Sequence, residues 1–196
     1  SFQRLGGVMK GFVLAGLLSH LEKQYGEEYT DDLIISMNRG VSGVYLSMAD
    51  YPDDTLDILV QTAAKLLEIP RAMLGKILGI HLFAELLVIN SAWVEHNDNG
   101  LDLLKSHDMA LNALTMAAFP GFVPPSYMCT QINSDMMEIT YRSIFMPADM
   151  AEGLIGAMLG HYKEHFSIEQ KSAEQQVGFN RQFIVRRKIP RHLLSD

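Results

Sequence analysis

Cysteine, tryptophan and positive charge are all scarce in this chain: it has one Cys, one Trp, and 16 Lys and Arg against 23 Asp and Glu over 196 residues. The lone Cys129 excludes a disulfide framework and a cysteine-built zinc cluster within the chain. It fits a reducing, cytoplasmic compartment. The net charge of −7 argues against a nucleic-acid partner, because phosphate binding needs clustered cations. The run Arg186-Arg187-Lys188, with Arg191 beyond it, reads as a solvated strand end and tail. The longest apolar stretch, from Ile77 to Ile89, is interrupted by His81 and Glu85. It is too short and too polar to suggest a bilayer span, so no membrane partner is expected. There is no phosphate loop, dinucleotide fingerprint or nucleophile elbow, no internal repeat and no signal-peptide pattern. Met9 reads as a natural start, with one domain over residues 9–188 and tails at 1–8 and 189–196.

What is present is an ordinary globular composition, 48% apolar and 20% charged, with enough residues to bury a core. Val13, Leu14, Leu17, Leu18 and Leu21 recur at helical spacing and predict a helix from Met9 to Tyr25, closed by Gly26. Further helices are predicted from about Glu28 to Met37, through Leu56–Leu67, from Arg71 to Asn90 and from Leu101 to Ala118. Gly40 and Gly43 mark a loop, and Tyr51-Pro52-Asp53-Asp54 a break and cap. After Pro120-Gly121 and Pro124-Pro125 the period changes. Tyr127–Ile132 and Met136–Phe145 predict two strands around an Asn133-Ser134-Asp135 turn. Pro147 is expected at the first position of a helix running to about Phe166. Strands over Ser167–Ala173 and Gln182–Arg187, around Gly178, complete the pattern. The expected fold is α+β: a helical N-terminal layer, a four-stranded antiparallel sheet and a late helix.

Few constellations carry chemistry on their own. His161 and His165, four apart on the predicted helix, share a face and can pair on a metal, but no third ligand has the right spacing. A helix-end pair facing water is the simpler reading. Glu27-Glu28 and Asp53-Asp54 suit helix starts rather than catalysis, since adjacent helical positions diverge. Cys129 reads as a buried structural thiol. The twelve methionines, many of them late in the chain, read as adaptable core filler, with an adaptable pocket as the alternative.

Several pieces taken in order do carry more. Met9-Lys10-Gly11 opens an apolar helix that ends at Tyr25-Gly26. Gly43-Val44-Tyr45 and Tyr51-Pro52-Asp53 follow. His107-Asp108 precedes Pro124, then come Tyr141-Arg142-Ser143 and Ala151-Glu152-Gly153-Leu154 with Gly156. This series resembles the haem-nitric oxide/oxygen-binding (H-NOX) domain family, over roughly Met9 to Lys188. The resemblance implies a sensor rather than an enzyme, with helices enclosing a haem pocket beside a four-stranded sheet. It implies a separate signalling partner, a histidine kinase or a cyclic-dinucleotide enzyme. It places Val13, Leu17 and Met150 on the gas side of the pocket, with Leu111 and Pro124 opposite.

Two departures bear on the cofactor. The family's iron-binding histidine falls at Leu111, which has no lone pair to offer. The family's haem-carboxylate clamp, Tyr-x-Ser-x-Arg, reads here Tyr141-x-Ser143-x-Phe145. The charged fork is missing, and Arg142 falls on the opposite face of an extended strand. His107 shares a helical face with Leu111, one turn away (~6 Å), and is the candidate substitute metal ligand, with His81 a weaker one. The expectation is an H-NOX-like sensor with altered or absent haem binding, its pocket apolar, empty or holding another apolar ligand. The alternatives are an NO sensor with a substitute axial ligand and a protein-interaction scaffold with a filled pocket. A metal enzyme would require His161, His165 and an acid to converge.

Overall fold

The computed structural model describes residues 9–38, 49–118, 121–171 and 179–188, with side chains from Gly11 onward except over 111–118. A two-stranded ribbon of β1 (Met9–Lys10) and β2 (Asp50–Tyr51) precedes the helices. The chain therefore enters as a strand, and α1 (Gly11–Tyr25) starts two residues later than the periodicity alone predicts. Pairing between residues forty apart leaves no local signal. Helices α2 (Glu27–Met37), α3 (Thr55–Leu66) and α4 (Arg71–Ile89) follow. Glu27 and Glu28 occupy the first turn of α2, where carboxylates oppose the helix dipole. A short α5 (Ser91–Glu95), capped by the Asn90 side chain, was hidden by its length. Helix α6 (Gly100–Ala118) comes next.

The sheet is antiparallel, in the order β3 (Ser126–Asn133), β4 (Met136–Arg142), β6 (Arg181–Arg187), β5 (Phe166–Lys171). Its inward positions, Tyr127, Met137, Ile139, Tyr141, Phe183 and Val185, are buried at period two. The fold is thus α+β, as expected. Helix α7 (Ala148–Gly160) is shorter than predicted, and Pro147 stands before it as N-cap with an extended backbone rather than inside its first turn. Because α7 stops at Gly160 and Lys163 takes a left-handed φ of 58°, His161 and His165 do not share a helical face. The shared helical face on which a metal pairing depended is not formed. Among the described residues no group of three or more His, Cys, Asp and Glu could hold a metal ion. The loop at Gly40 and Gly43, Gly178, Pro120, Arg191 and both tails lie outside the described residues.

Helix α4 is the pivot of the helical layer. Its 19 residues are long and apolar enough to cross a membrane by length and composition alone. In this fold it lies across α7, at a crossing made close by Gly75, Gly79 and Gly153. Added Cβ atoms there would press on the backbone or Cβ of the facing helix. Leu74, Leu78 and Phe83 are buried on its inner side, while Met73, Ile77, Ile80 and Val88 remain exposed on its outer side.

Candidate functional site

An apolar cavity of about 180 Å³ lies between the helical layer and the sheet. Val13 and Gly16 of α1 line it, with His81, Leu82 and Leu86 of α4, Leu154 of α7 and His107 of α6. Phe122 and Pro124 come from the stretch leading into β3, Tyr127 from β3 itself, and Phe145 from the turn after β4. Each element contributes what its periodicity turns inward.

Of the residues expected at the pocket, Val13, Pro124 and His107 are on the wall. Leu17 and Met150 are fully buried but not on it; Met150 lies at the α4–α7 crossing, its carbonyl beside Gly79. Leu111 belongs to α6, and its side chain lies outside the described residues. Tyr141 and Ser143, the residues expected as clamp remnants, are both buried and hydrogen-bonded within the chain. The Tyr141 hydroxyl donates to the Met146 carbonyl at 2.7 Å. Ser143 Oγ accepts from the Phe145 and Met146 N–H groups at 3.2 and 2.9 Å. Burial pushes the Tyr141 phenol far up, so it stays a donor.

Phe145, where the sequence resemblance would put the clamp arginine, is 2% exposed. Its ring lies 5.5 Å from that of Phe122, and Phe122 is 5.3 Å from Phe12. Edge and tilted contacts of this kind add to the apolar burial itself. A row of three aromatic rings thus runs beside the cavity.

The polar residues of the wall are His81 and Glu85 of α4, Tyr127 of β3 and His107, and His107 has the most partners. Its Nδ1 is 3.1 Å from Asp108 Oδ1. A carboxylate only accepts, so a proton sits on Nδ1, and in the neutral tautomer Nε2 would carry the lone pair. Asp108 also accepts from the Tyr127 N–H at 3.0 Å and the Ser126 hydroxyl at 2.9 Å. Burial pushes the Asp108 carboxyl up, but these donors outweigh it and hold the carboxyl below its usual range. The His107 ring lies 4.4 Å from Tyr127 and 5.8 Å from Trp93.

On the α4 wall His81 stacks on His20 of α1, centroids 3.7 Å apart and planes 21° from parallel. Burial lowers the pKa of both rings. Rings stacked in this way aim their in-plane lone pairs side by side, not at a common point. Cys129 donates weakly to the Leu104 carbonyl, and burial pushes its thiol to about 12, leaving it inert. Tyr127 and the aromatic row had no sequence signal of their own, because their partners lie well separated along the chain.

The fold is that of known sensor domains. An H-NOX protein from K. algicida, in an Fe(II) unliganded structure, is similar over 93% of this chain and 98% of its own, with a TM-score of 0.81 at 18% identity. An H-NOX protein from S. oneidensis, in the Fe(II)NO ligation state, matches over 92% and 100%, with a TM-score of 0.78 at 19% identity. The H-NOX from Shewanella woodyi, in the Fe(II)CO state, matches over 92% and 95%, with a TM-score of 0.72 at 26% identity. No curated protein matches the chain. The haem-NO-binding family model matches residues 10–170, nearly all of the helical layer and most of the sheet, and the chain belongs to that haem-binding sensor family.

Proposed function

We propose that this domain is a sensor of the H-NOX type that has given up haem and holds a small apolar ligand in the same place. It would act from the cytoplasm on a separate signalling protein, such as a histidine kinase or a cyclic-dinucleotide enzyme. It would have no catalytic, nucleic-acid or membrane role. The observation that carries this reading is the carboxylate end of the site. A haem brings two propionates, and a buried carboxylate needs a cation or several donors. Phe145 stands there instead of a guanidinium, inside an aromatic row. The Tyr141 and Ser143 hydroxyls already serve the 143–146 turn. The volume agrees: about 180 Å³ is close to the ~150 Å³ of apolar cavities that take up benzene. The residues present do not fit a haem. Occupancy would be read as a change in how α1, α4 and α7 close on the cavity, a population shift that a partner surface can sense.

One observation favours a second reading, haem held through His107. Its Nδ1 is anchored by a carboxylate, as metal-bound imidazoles commonly are. An absorption spectrum after expression with haem supplementation separates the two. The first reading expects no Soret band, even on haem titration. A strong band that disappears in His107→Ala would establish the second and remove the first.

A further inference from the structure

Helix α4 carries three side chains of fixed charge, and one of them faces the cavity. Arg71 is paired with Asp57 and Asp149, and Lys76 with Glu152 at 2.9 Å. Glu85 is the only acidic residue in the helix, and it has no Lys or Arg partner among the described residues. Its Oε1 lies 3.4 Å from His81 Nε2, and that nitrogen makes no hydrogen bond among them. Burial holds the His81 ring below its ordinary 6.5, against the pull of Glu85. At neutral pH the ring is therefore uncharged. Lys23 of α1 acts on His81 through space, but no Lys or Arg among the described residues lines the cavity. The Glu85 carboxylate is thus a wall residue with no fixed cation beside it.

Helical spacing explains how a carboxylate comes to line an apolar site. Leu82, Glu85, Leu86 and Ile89 all line the cavity, and they succeed one another three and four residues apart, on one stripe of α4. Exposure gives the cavity a direction. Phe122, Tyr127 and Phe145 are at most 4% exposed and form its floor. The Glu85 side chain is 55% exposed and Ile89 is 72% exposed, so these two stand at its mouth. A floor of apolar rings takes an apolar body. A carboxylate at a wet mouth takes a cationic head that keeps most of its water, as a lysine does when its stem is covered and its ammonium is not. We infer that the cavity is a receptor for a small amine with an aromatic body, its ring on the phenylalanine floor and its ammonium beside Glu85 at the mouth. The volume, about 180 Å³ against the ~150 Å³ that holds benzene, suits one ring with its head group projecting outward. An inorganic cation would leave the floor unfilled. A carboxylic acid would meet Glu85 with like charge.

This inference rests on the haem-free reading above and names the class of its ligand. Benzylamine, benzyl alcohol and toluene share one body and differ in the head group. Isothermal titration of each into the full chain, at neutral pH and low salt, makes the decisive comparison. Benzylamine is expected to bind about fivefold tighter than benzyl alcohol, the gain of a half-exposed ion pair. That gain should fade as salt is raised. Glu85→Gln keeps the shape of the side chain and removes its charge. It should abolish the preference and leave toluene affinity unchanged. Glu85→Lys should push benzylamine below benzyl alcohol, because like charges then meet at the mouth. Both changes fall on an exposed position of α4, and circular dichroism identical to the parent's would show the fold intact. Benzylamine binding no tighter than benzyl alcohol would overturn the inference. So would a preference that survives in Glu85→Gln. In either case toluene binding would leave the haem-free, apolar-pocket reading standing. A Soret band at haem stoichiometry, or binding of none of the three compounds by folded protein, strikes that reading first and takes the inference with it, so the two failures are distinguishable.

Discussion

Replacing Gly79 by alanine tests whether the α4–α7 crossing is as tight as the structure has it. A Cβ at this position would overlap the Met150 carbonyl oxygen and stand 2.9 Å from Leu154 N. Both obstacles are backbone, so no rotamer change relieves them. Ordinary contact begins near 3.4 Å, so the Met150 oxygen must recede by more than an ångström and α4 and α7 must part, in an interior that is otherwise close-packed. Overpacking of this kind costs about 3 kcal/mol, and alanine's better helix propensity returns about 1. The net loss is about 2 kcal/mol, an unfolding temperature lower by roughly 4–8 °C for a chain of this size. Urea unfolding followed by circular dichroism measures it. Gly16→Ala is the matched control. Gly16 is also helical, but an added Cβ there meets nothing within 4 Å, so the change should stabilise by about 0.5–1 kcal/mol. The consequence reaches the cavity, because α4 carries His81, Leu82 and Leu86 and α7 carries Leu154. A Gly79→Ala chain as stable as the parent would show that the helices cross less closely, and the coupling of their spacing to the pocket would fall with it.

Ser143→Ala orphans the Phe145 and Met146 N–H groups and should cost about 1–3 kcal/mol in chemical denaturation. Tyr141→Phe, which frees only the Met146 carbonyl, should cost about 1–1.5 kcal/mol. The Asp108 carboxyl is held below its usual 3.8, so its contribution is complete above that value and is lost as pH falls through the lower folded value. Asp108→Asn should therefore flatten the acid limb of a stability–pH profile. The His20 and His81 rings are held below 6.5. The folded state binds fewer protons there, so stability should decline as pH drops below about 6.5 and through the folded values. Thermal melts between pH 7.5 and 5 should show that decline weakened in His20→Gln; an identical slope would mean that the stack does not titrate with folding.

The elements were legible wherever one period ran uninterrupted. Leucines along α1 and α3 and the alternation of β4 announce themselves locally. What escaped was decided by distant partners or by single backbone angles. The β1–β2 ribbon pairs residues forty apart. The end of α7 is set at Gly160, before the left-handed turn at Lys163, and this separates the two histidines that helical spacing had joined. The candidate site divides the same way. Val13, Pro124 and His107 were reached through family resemblance. Glu85 was not, because its importance lies in what it lacks, a fixed cation beside its carboxylate. No local pattern encodes an absence of that kind.

Phe145 is where stability and function make the same demand. Its ring is buried against Phe122 and lines the cavity. Phe145→Arg would restore the family's clamp residue in name. It would also place a guanidinium among aromatic rings, with the neighbouring hydroxyls already engaged in the 143–146 turn. An unpaired buried charge costs about 3–5 kcal/mol, a large part of the stability of an ordinary domain. The variant should unfold at markedly lower denaturant, and added haem should not rescue it. Phe145→Leu, which keeps the site apolar, should lose only about 1–2 kcal/mol. If Phe145→Arg were instead as stable as the parent, the site would tolerate a cation, and with it the carboxylates of a porphyrin. The aromatic row could then no longer be read as the reason the floor of this pocket prefers an uncharged body.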